Sequence, residues 1–210
     1  MAALSYRQAS DALADLDPVM AALVERHGPM RTPPTVPVDR RFENLAEAIA
    51  YQQLAGRVAA TIWGRVRALF DDGPLDPVAV LATSEADLRG AGLSGAKTAA
   101  ILDLAAHAAD GRLELQRMGR LGDEVVIDEL VAVRGIGRWT AQMFLIFALR
   151  RLDVWPTGDL GVRAGYGLAY GLSESPTPKV LEELGQPLRP FRSLAAWYCW
   201  RAVEAPGLTG

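Results

Sequence analysis

One stretch constrains the fold more than any other, because it joins two apolar segments through a glycine-framed turn and ends on a single acid. Residues 130–159 read LVAVRGIGRWTAQMFLIFALRRLDVWPTGD, with the turn at Gly135-Ile136-Gly137 and the acid at Asp159. Glycines at this spacing predict a tight connection between two helices. The segment 138–149 carries apolar residues on nearly every side, which predicts a deeply buried helix.

The remaining chain has the periodicity of helices. Apolar residues recur every three or four positions in residues 6–24 and 42–69, and no segment shows the sustained alternation of a strand. Asp17 and Ser94 are predicted N-caps, and Asp123 is predicted to cap a helix through Val133. The sequence therefore predicts an all-α protein.

Length and composition allow either one large domain or two small lobes with a shared core. The chain has 210 residues, of which 50% are hydrophobic. A proline-rich connector at residues 31–38 is a candidate boundary between lobes. The N-terminus has no basic-then-apolar signal pattern, and the longest apolar run, residues 143–149, is too short to span a bilayer. We expect a soluble, cytoplasmic protein, associated with the nucleoid if the source is bacterial.

The charge and the cysteine content exclude several classes of site. The net charge of −3 does not indicate a nucleic-acid-binding protein, although binding depends on local patches rather than on the total. The single cysteine, Cys199, excludes an internal disulfide and a four-cysteine iron–sulfur or zinc site, and its apolar surroundings favour a core position. His27 and His107 are far apart in sequence and have no metal-ligand spacing around them.

The glycine turn has two interpretations on the residues alone. It can be a helix C-cap and a tight helix–helix connection. It can also bind a phosphate, because glycines allow close backbone approach and the next helix presents its first N–H groups to an anion. Arg134 and Arg138 flank the turn with positive charge. Such a contact would position a duplex without reading its sequence.

Asp159 also has two interpretations. It precedes a segment with helical periodicity, where it would be an N-cap. It could equally be a catalytic carboxylate in a cleft. The two interpretations are compatible if the acid lies at a helix start that faces the cleft.

Several segments together resemble one family. LxxVRGIGRWTA followed by PTGDLGVR is similar to the hairpin, loop and acid of the helix-hairpin-helix (HhH-GPD) superfamily of base-excision DNA glycosylases. AIAYQQLAGRVAATIWGR, LRGAGLSGAKTAAI and PFRSLAAWYCWR are similar to its 3-methyladenine DNA glycosylase II (AlkA-type) branch. The similar segments cover most of the chain from Phe42 to Arg201.

The resemblance implies two helical lobes around a cleft. One lobe would combine residues 1–40 with residues 153–210, and the middle lobe would span residues 41–152 and end with the helix-hairpin-helix. The implied function is a monofunctional glycosylase that flips alkylated purines out of double-stranded DNA and hydrolyses the N-glycosidic bond. Alternatives are a glycosylase for deaminated or etheno purines, such as hypoxanthine or etheno-adenine, and a catalytically silent damaged-DNA-binding module.

The resemblance also implies roles for particular residues. Asp159 would be the catalytic acid, and Leu54, with Gln53 beside it, the wedge that fills the hole left by the flipped base. The alternative for Leu54 is a helix-end leucine that packs inward. The base pocket would be formed by Trp139, Trp200, Met143 and Tyr51, and the phosphate-binding hairpin by Arg134, Gly135, Ile136, Gly137, Arg138 and Thr140. Met143 departs from the family pattern, which has an aromatic residue there.

The resemblance further bears on cofactors and on a lyase activity. Bifunctional relatives carry a lysine where Trp139 stands, and an indole cannot form the Schiff base that strand cleavage needs. The cysteines of iron–sulfur branches are absent. We therefore expect no cofactor, apart from a Na⁺ or K⁺ ion that the carbonyls of Val131, Val133 and Gly135 could hold. The expected partner is double-stranded DNA with damaged bases, and the expected state is a monomer.

Overall fold

The computed structural model describes residues 4–70 and 72–204, and within these ranges the secondary structure is helical, without a strand. The predicted all-α class is confirmed. The chain divides into two compact units. Unit 1 combines residues 1–34 with residues 150–210, and unit 2 spans residues 35–149. The proline-rich connector contains the first of these two boundaries.

Unit 2 contains seven of the α-helices found in the described residues. They are α3 (Arg41–Tyr51), α4 (Gly56–Arg67), α5 (Pro77–Ala82), α6 (Glu85–Gly90), α7 (Gly95–Ala109), α8 (Asp123–Val131) and α9 (Arg138–Met143), with 3₁₀ turns at Val38–Arg40 and Met118–Arg120. Its buried side chains include Leu45, Ile49, Leu88, Leu104 and Leu130. Leu45 and Ile49 are four residues apart on α3, so the apolar face that the sequence predicts for this helix lies in the interior of the unit.

Unit 1 is built from both ends of the chain. Its helices are α1 (Tyr6–Leu16), α2 (Pro18–His27), α10 (Leu160–Ala169), α11 (Pro178–Leu184) and α12 (Arg192–Glu204), with a 3₁₀ turn at Gln186–Leu188. Its core joins α1, α2, α10 and α12 through side chains such as Leu13, Met20, Val162 and Tyr198. Cys199 is buried in this core, as the sequence predicts.

The helix starts follow from local capping chemistry. The side chain of Asp17 accepts hydrogen bonds from the N–H groups of Val19 and Met20, and Ser94 caps α7 through the N–H of Lys97. Both predictions are confirmed. The prediction for Asp123 was wrong, because Gly122 is the N-cap of α8 and Asp123 is its first residue. An acid there still stabilises the helix through the dipole, so a cap and a first-turn acid look alike in sequence.

Helices α10 and α12 approach each other closely at a glycine. A Cβ added at Gly165 would overlap the backbone carbonyl of Cys199. Any larger side chain would therefore separate the two helices or distort them. This approach places the middle of α10 beside Cys199 of α12.

The segment that leads into α10 is held by α12 and α11. Arg192 is buried and donates to the carboxylate of Asp153, and the hydroxyl of Ser193 hydrogen-bonds to both the N–H and the carbonyl of Val154. The indole N–H of Trp155 donates to the carbonyl of Leu181 at 2.8 Å. These contacts fix the backbone of residues 153–155 just before the loop that ends at Asp159.

The apolar segment after the hairpin differs from its prediction in two ways. It is the six-residue helix α9 followed by a π-helical turn, Phe144–Ala148, rather than one α-helix. It is also not buried throughout, since Trp139 is 48% exposed and Phe147 is 37% exposed. The prediction that Trp139 is buried was wrong, because a run of apolar residues does not show which face of the helix an aromatic residue in it occupies. No helix in the described part of the chain combines the length and the apolar character that crossing a bilayer requires.

Candidate functional site

Asp159 is the N-cap of α10 and is only 9% exposed. Its Oδ1 accepts hydrogen bonds from the backbone N–H of Val162 at 2.8 Å and from the indole Nε1–H of Trp200 at 3.0 Å. The predicted capping role is confirmed, and its catalytic role remains a prediction. Two donors on one oxygen fix the orientation of the carboxylate, which is what a group that must stabilise a nearby positive charge requires.

Trp200 therefore has a contact that the sequence did not indicate. The resemblance implies a base-pocket aromatic at this position, whereas in the structure its N–H binds the carboxylate of Asp159. Gly161 permits this contact, since a Cβ there would lie 2.9 Å from Cδ1 of Trp200 and 3.2 Å from Oδ1 of Asp159. A glycine two residues after the acid is the one sequence signal of this close approach.

Cys199 precedes Trp200 and is fully buried near the acid. Burial, together with the negative charge of Asp159, raises the pKa of the Cys199 thiol far above its usual value. The thiol therefore stays neutral, and we assign Cys199 to the core rather than to the chemistry.

Unit 2 contains a pocket of about 470 Å³. It brings together Trp139, Met143 and Tyr51, three of the four residues that the resemblance places around the base, while the fourth, Trp200, belongs to unit 1. Its full lining is Ala48, Tyr51, Gln52, Gln53, Trp139, Thr140 and Met143. Two aromatic rings and a thioether with a few amides and a hydroxyl suit a flat, partly polar ligand.

A short loop, residues 52–55, connects α3 to α4 beside this pocket. Gln53 has a φ of 57°, in the left-handed region that residues other than glycine rarely adopt. Leu54 follows it and is 38% exposed, so the inward-packing interpretation of this leucine does not hold. The loop presents an apolar side chain to solvent, which is the property a DNA wedge needs.

The hairpin between α8 and α9 depends on glycine at position 135. Its φ is +79°, and a Cβ there would lie 2.8 Å from the Cβ of Ala100 on α7. Ile136, between the two glycines, is buried, and its N–H donates to the carbonyl of Val133. The backbone of the turn is therefore fixed from the inside of the unit.

The predicted phosphate-binding residues have different environments. The N–H of Arg134 donates to the Asp103 carboxylate at 2.7 Å, and the Arg138 guanidinium pairs with Glu124 on the surface. In the described part of the chain, no protein acceptor takes the N–H of Gly135 or of Gly137. These two N–H groups are consequently the candidates for a backbone contact with an anion.

The hairpin carbonyls proposed as cation ligands are partly used by the protein. The Val133 carbonyl accepts from Ile136 N–H, and the Gly135 carbonyl accepts from Gln52 Nε2 at 3.0 Å. A carbonyl has two lone pairs, so a cation there remains a prediction. Among the described residues, His, Cys, Asp and Glu form no group of three or more that could hold a metal ion.

The sequence and the fold identify the family. Residues 46–190 match the model of the HhH-GPD superfamily of base excision DNA repair proteins, and the chain belongs to this superfamily.

Three matches show the similarity over nearly the whole chain. The chain is 31% identical to DNA-3-methyladenine glycosylase 1 of Schizosaccharomyces pombe, over 98% of this chain and 91% of that one. The solved structure of the S. pombe 3-methyladenine DNA glycosylase Mag1 in complex with abasic DNA superimposes with a TM-score of 0.83, covering 94% of this chain and 97% of that one. A DNA-3-methyladenine glycosidase from Bacillus halodurans also gives a TM-score of 0.83, at 34% identity over 92% of this chain and 88% of that one.

The close approach at Gly135 generates a stability prediction. We expect Gly135→Ala to lower the free energy of unfolding by about 2–4 kcal/mol, because it combines a left-handed backbone with overpacking against Ala100. Urea denaturation measures the loss. Gly137→Ala is the matched control, since a Cβ there meets no atom within 4 Å, and we expect a change below about 1 kcal/mol.

The double variant Gly135→Ala/Ala100→Gly separates the two causes. Removing the methyl of Ala100 relieves the overlap but not the backbone strain, so we expect the double variant to be less destabilised than the sum of the two single variants. Strict additivity would show that the overlap contributes nothing.

Proposed function

We propose that this protein is a monofunctional DNA glycosylase that excises alkylated purines of the 3-methyladenine type by hydrolysis. The observation that carries the proposal is the oriented, largely buried carboxylate of Asp159 at the start of α10. Its context supports it, because the chain is an HhH-GPD protein whose similar relatives are named DNA-3-methyladenine glycosylases.

Asp159 would act on the sugar rather than on the base. Breaking an N-glycosidic bond places positive charge on the deoxyribose, and a fixed carboxylate stabilises that charge without reorganising. The same group could orient or deprotonate the attacking water. Oδ1 already accepts from Val162 and Trp200, so the carboxylate is held in one orientation before substrate arrives.

The pocket of unit 2 would hold the extruded base. A base must leave the helical stack to react, and extrusion is least costly for a damaged one. Alkylation at a ring nitrogen makes a purine cationic, and a cation over an aromatic face gains about 0.5–2 kcal/mol. The exposed indole of Trp139 and the ring of Tyr51 offer such faces. Met143 adds a polarizable contact in place of the aromatic residue found in relatives.

Leu54 would occupy the space that the base leaves. An apolar side chain inserted between base steps offsets part of the lost stacking. Its exposure at the tip of the 52–55 loop supports this role.

The hairpin would hold the DNA backbone. The N–H groups of Gly135 and Gly137 would bind phosphate oxygens, and Arg134 and Arg138 would add charge. The ion pair of Arg138 with Glu124 lies at the surface, where exchanging one anion for another costs little. A solved relative in complex with abasic DNA supports DNA as the partner. We further propose that the protein acts on double-stranded DNA with damaged bases, that it is a monomer and that it needs no cofactor.

The catalytic assignment is tested by Asp159→Asn. Asparagine keeps the size of the side chain and an oxygen that can cap Val162, so folding and DNA binding should persist. We expect base release to fall by about 10²–10⁴-fold, as when an aligned catalytic group is removed. Free base released from methylated DNA measures the rate, and gel retardation of an abasic-analogue duplex measures binding. Release near the wild-type rate would refute the assignment.

A panel of duplexes that each carry one lesion defines the substrate. We expect 3-methyladenine to be released faster than hypoxanthine or etheno-adenine. Faster release of an uncharged lesion would contradict the alkylated-purine assignment while leaving the glycosylase class intact.

Trp200→Phe tests how the indole acts. Phenylalanine keeps an aromatic ring but cannot donate to Asp159. Losing a hydrogen bond to a charged group costs about 1.5–3 kcal/mol, so we expect a roughly 10–100-fold slower single-turnover release. Affinity for the abasic-analogue duplex should stay within about twofold. If the Phe variant works at the wild-type rate and Trp200→Ala does not, the ring stacks on the base instead.

Leu54→Ala tests the wedge. We expect affinity for an abasic-site duplex to drop about tenfold, because burial of most of a leucine side chain in the stack is worth about 1.5 kcal/mol. The melting temperature should hardly change, since Leu54 is exposed in the free protein. Leu81→Ala on α5 is the matched control, as that leucine is similarly exposed. A large loss of melting temperature would instead indicate a core role for Leu54.

A further inference from the structure

One face of α7 contacts both segments of unit 2 that are proposed to meet DNA. Lys97, Ala100 and Asp103 follow one another at three-residue spacing, so they share a face of the helix. Ala100 lies against Gly135, and Asp103 accepts the N–H of Arg134. The middle and the far end of this face therefore support the hairpin.

The near end of the same face supports the 52–55 loop. Nζ of Lys97 donates to the carbonyl of Ala50 at 2.8 Å and to the carbonyl of Gln52 at 2.7 Å. Both carbonyls lie at the C-terminal end of α3, where a helix leaves carbonyl groups unsatisfied and favours positive charge. Lys97 thus fixes the point at which the loop begins.

Gln52 links the loop directly to the hairpin. Its Nε2 donates to the carbonyl of Gly135 at 3.0 Å and lies 3.4 Å from the hydroxyl of Thr140. A carbonyl can only accept, so the nitrogen of this amide must face the hairpin. Within unit 2, the 52–55 loop, the hairpin and α7 therefore each contact the other two.

These contacts flank the least favourable backbone conformation of the loop. Gln53 has a positive φ, and such a conformation persists when its surroundings fix it. Lys97 and Gln52 fix the chain immediately before Gln53, and the exposed Leu54 follows immediately after it. The direction in which Leu54 leaves the loop depends on that strained residue.

We propose that Lys97 is a positioning residue: together with Gln52 it holds the 52–55 loop in register with the hairpin, so that Leu54 is already placed for insertion when the hairpin binds the DNA backbone. This inference rests on the proposed roles of Leu54 and of the hairpin. Pre-organisation of this kind raises affinity because the loop need not be ordered during binding.

The choice of lysine supports the inference. The sequence has 22 basic residues other than histidine, and only Lys97 and Lys179 are lysines. A guanidinium is a planar fork that matches carboxylates and phosphates, whereas an ammonium is compact and can direct its three N–H groups to converging carbonyls. A lysine with two backbone carbonyls as partners is suited to holding the chain rather than to binding an anion.

The test compares Lys97→Met with Lys179→Met. Both variants remove one positive charge, but Lys179 is exposed on α11 of unit 1. We measure Kd for an abasic-analogue duplex at several salt concentrations, together with melting temperature. For Lys97→Met we expect Kd to rise about tenfold with the same salt dependence, whereas Lys179→Met leaves Kd within about twofold. A decrease of about one in the salt slope would show that Lys97 binds phosphate itself and would overturn the proposal.

A double-mutant cycle with Leu54→Ala shows whether Lys97 acts through the wedge. In the Leu54→Ala background we expect Lys97→Met to change Kd by less than about twofold. Fully additive effects would overturn the proposal, and so would a lower melting temperature with an unchanged Kd. Gln52→Met provides a second variant in case Lys97→Met does not fold, and the same pattern is expected of it.

Hydrogen exchange in the absence of DNA keeps this test separate from the proposed function. The amide of Leu54 donates to the carbonyl of Tyr51, and its exchange reports opening of the loop. We expect faster exchange in Lys97→Met than in the wild type or in Lys179→Met. If Leu54→Ala binds DNA normally, the wedge assignment fails while exchange still reports on Lys97. Unchanged exchange in Lys97→Met would overturn the positioning role.

Discussion

The architecture of unit 2 depends on the approach of Gly135 to Ala100. A residue with a Cβ at position 135 would be strained by the positive φ and would overlap α7, so the hairpin could not lie where it does. A hydrogen bond between the hairpin and α7 also requires this packing. Asp103 can accept the Arg134 N–H only when the hairpin lies on α7. The steric fit of Gly135 against Ala100 therefore allows the hairpin to lie on α7, and the hydrogen bond of Arg134 to Asp103 fixes its register there.

At Asp159 the proposed catalytic role is compatible with the observed helix capping. A cap contributes about 1 kcal/mol of stability through one oxygen. The indole of Trp200 donates to the same oxygen, which restricts rotation of the group. A carboxylate fixed in this way need not reorganise when positive charge develops nearby. Such preorganisation is the main source of electrostatic catalysis. The fold of unit 1 thus orients the acid by the same contacts that begin α10.

Sequence reasoning succeeded where short-range rules determine structure. The caps at Asp17, Ser94 and Asp159 follow from side chains that bind N–H groups two or three residues ahead. It failed for the burial of residue 139, where the orientation of a helix face depends on packing against distant segments.

The sequence did not predict the hydrogen bonds of side chains to backbone carbonyls either. The bonds of Lys97 to Ala50 and Gln52 cross more than forty residues, and a carbonyl is present at every position, so no sequence pattern marks its partner. The hydrogen bond from Trp200 to Asp159 was not predicted for a similar reason, because a tryptophan in sequence does not show which acceptor its N–H will meet.

The environments of the two lysines also support the proposal of hydrolysis rather than strand cleavage. A Schiff base needs an amine at the reacting sugar. An indole occupies the position where lyase-competent relatives carry lysine, and the amine of Lys97 is engaged by two backbone carbonyls. Lys179, the other lysine, lies exposed on α11, where no contact connects it with Asp159 in the described chain. These environments are consistent with the proposal that water displaces the base while Asp159 stabilises the sugar.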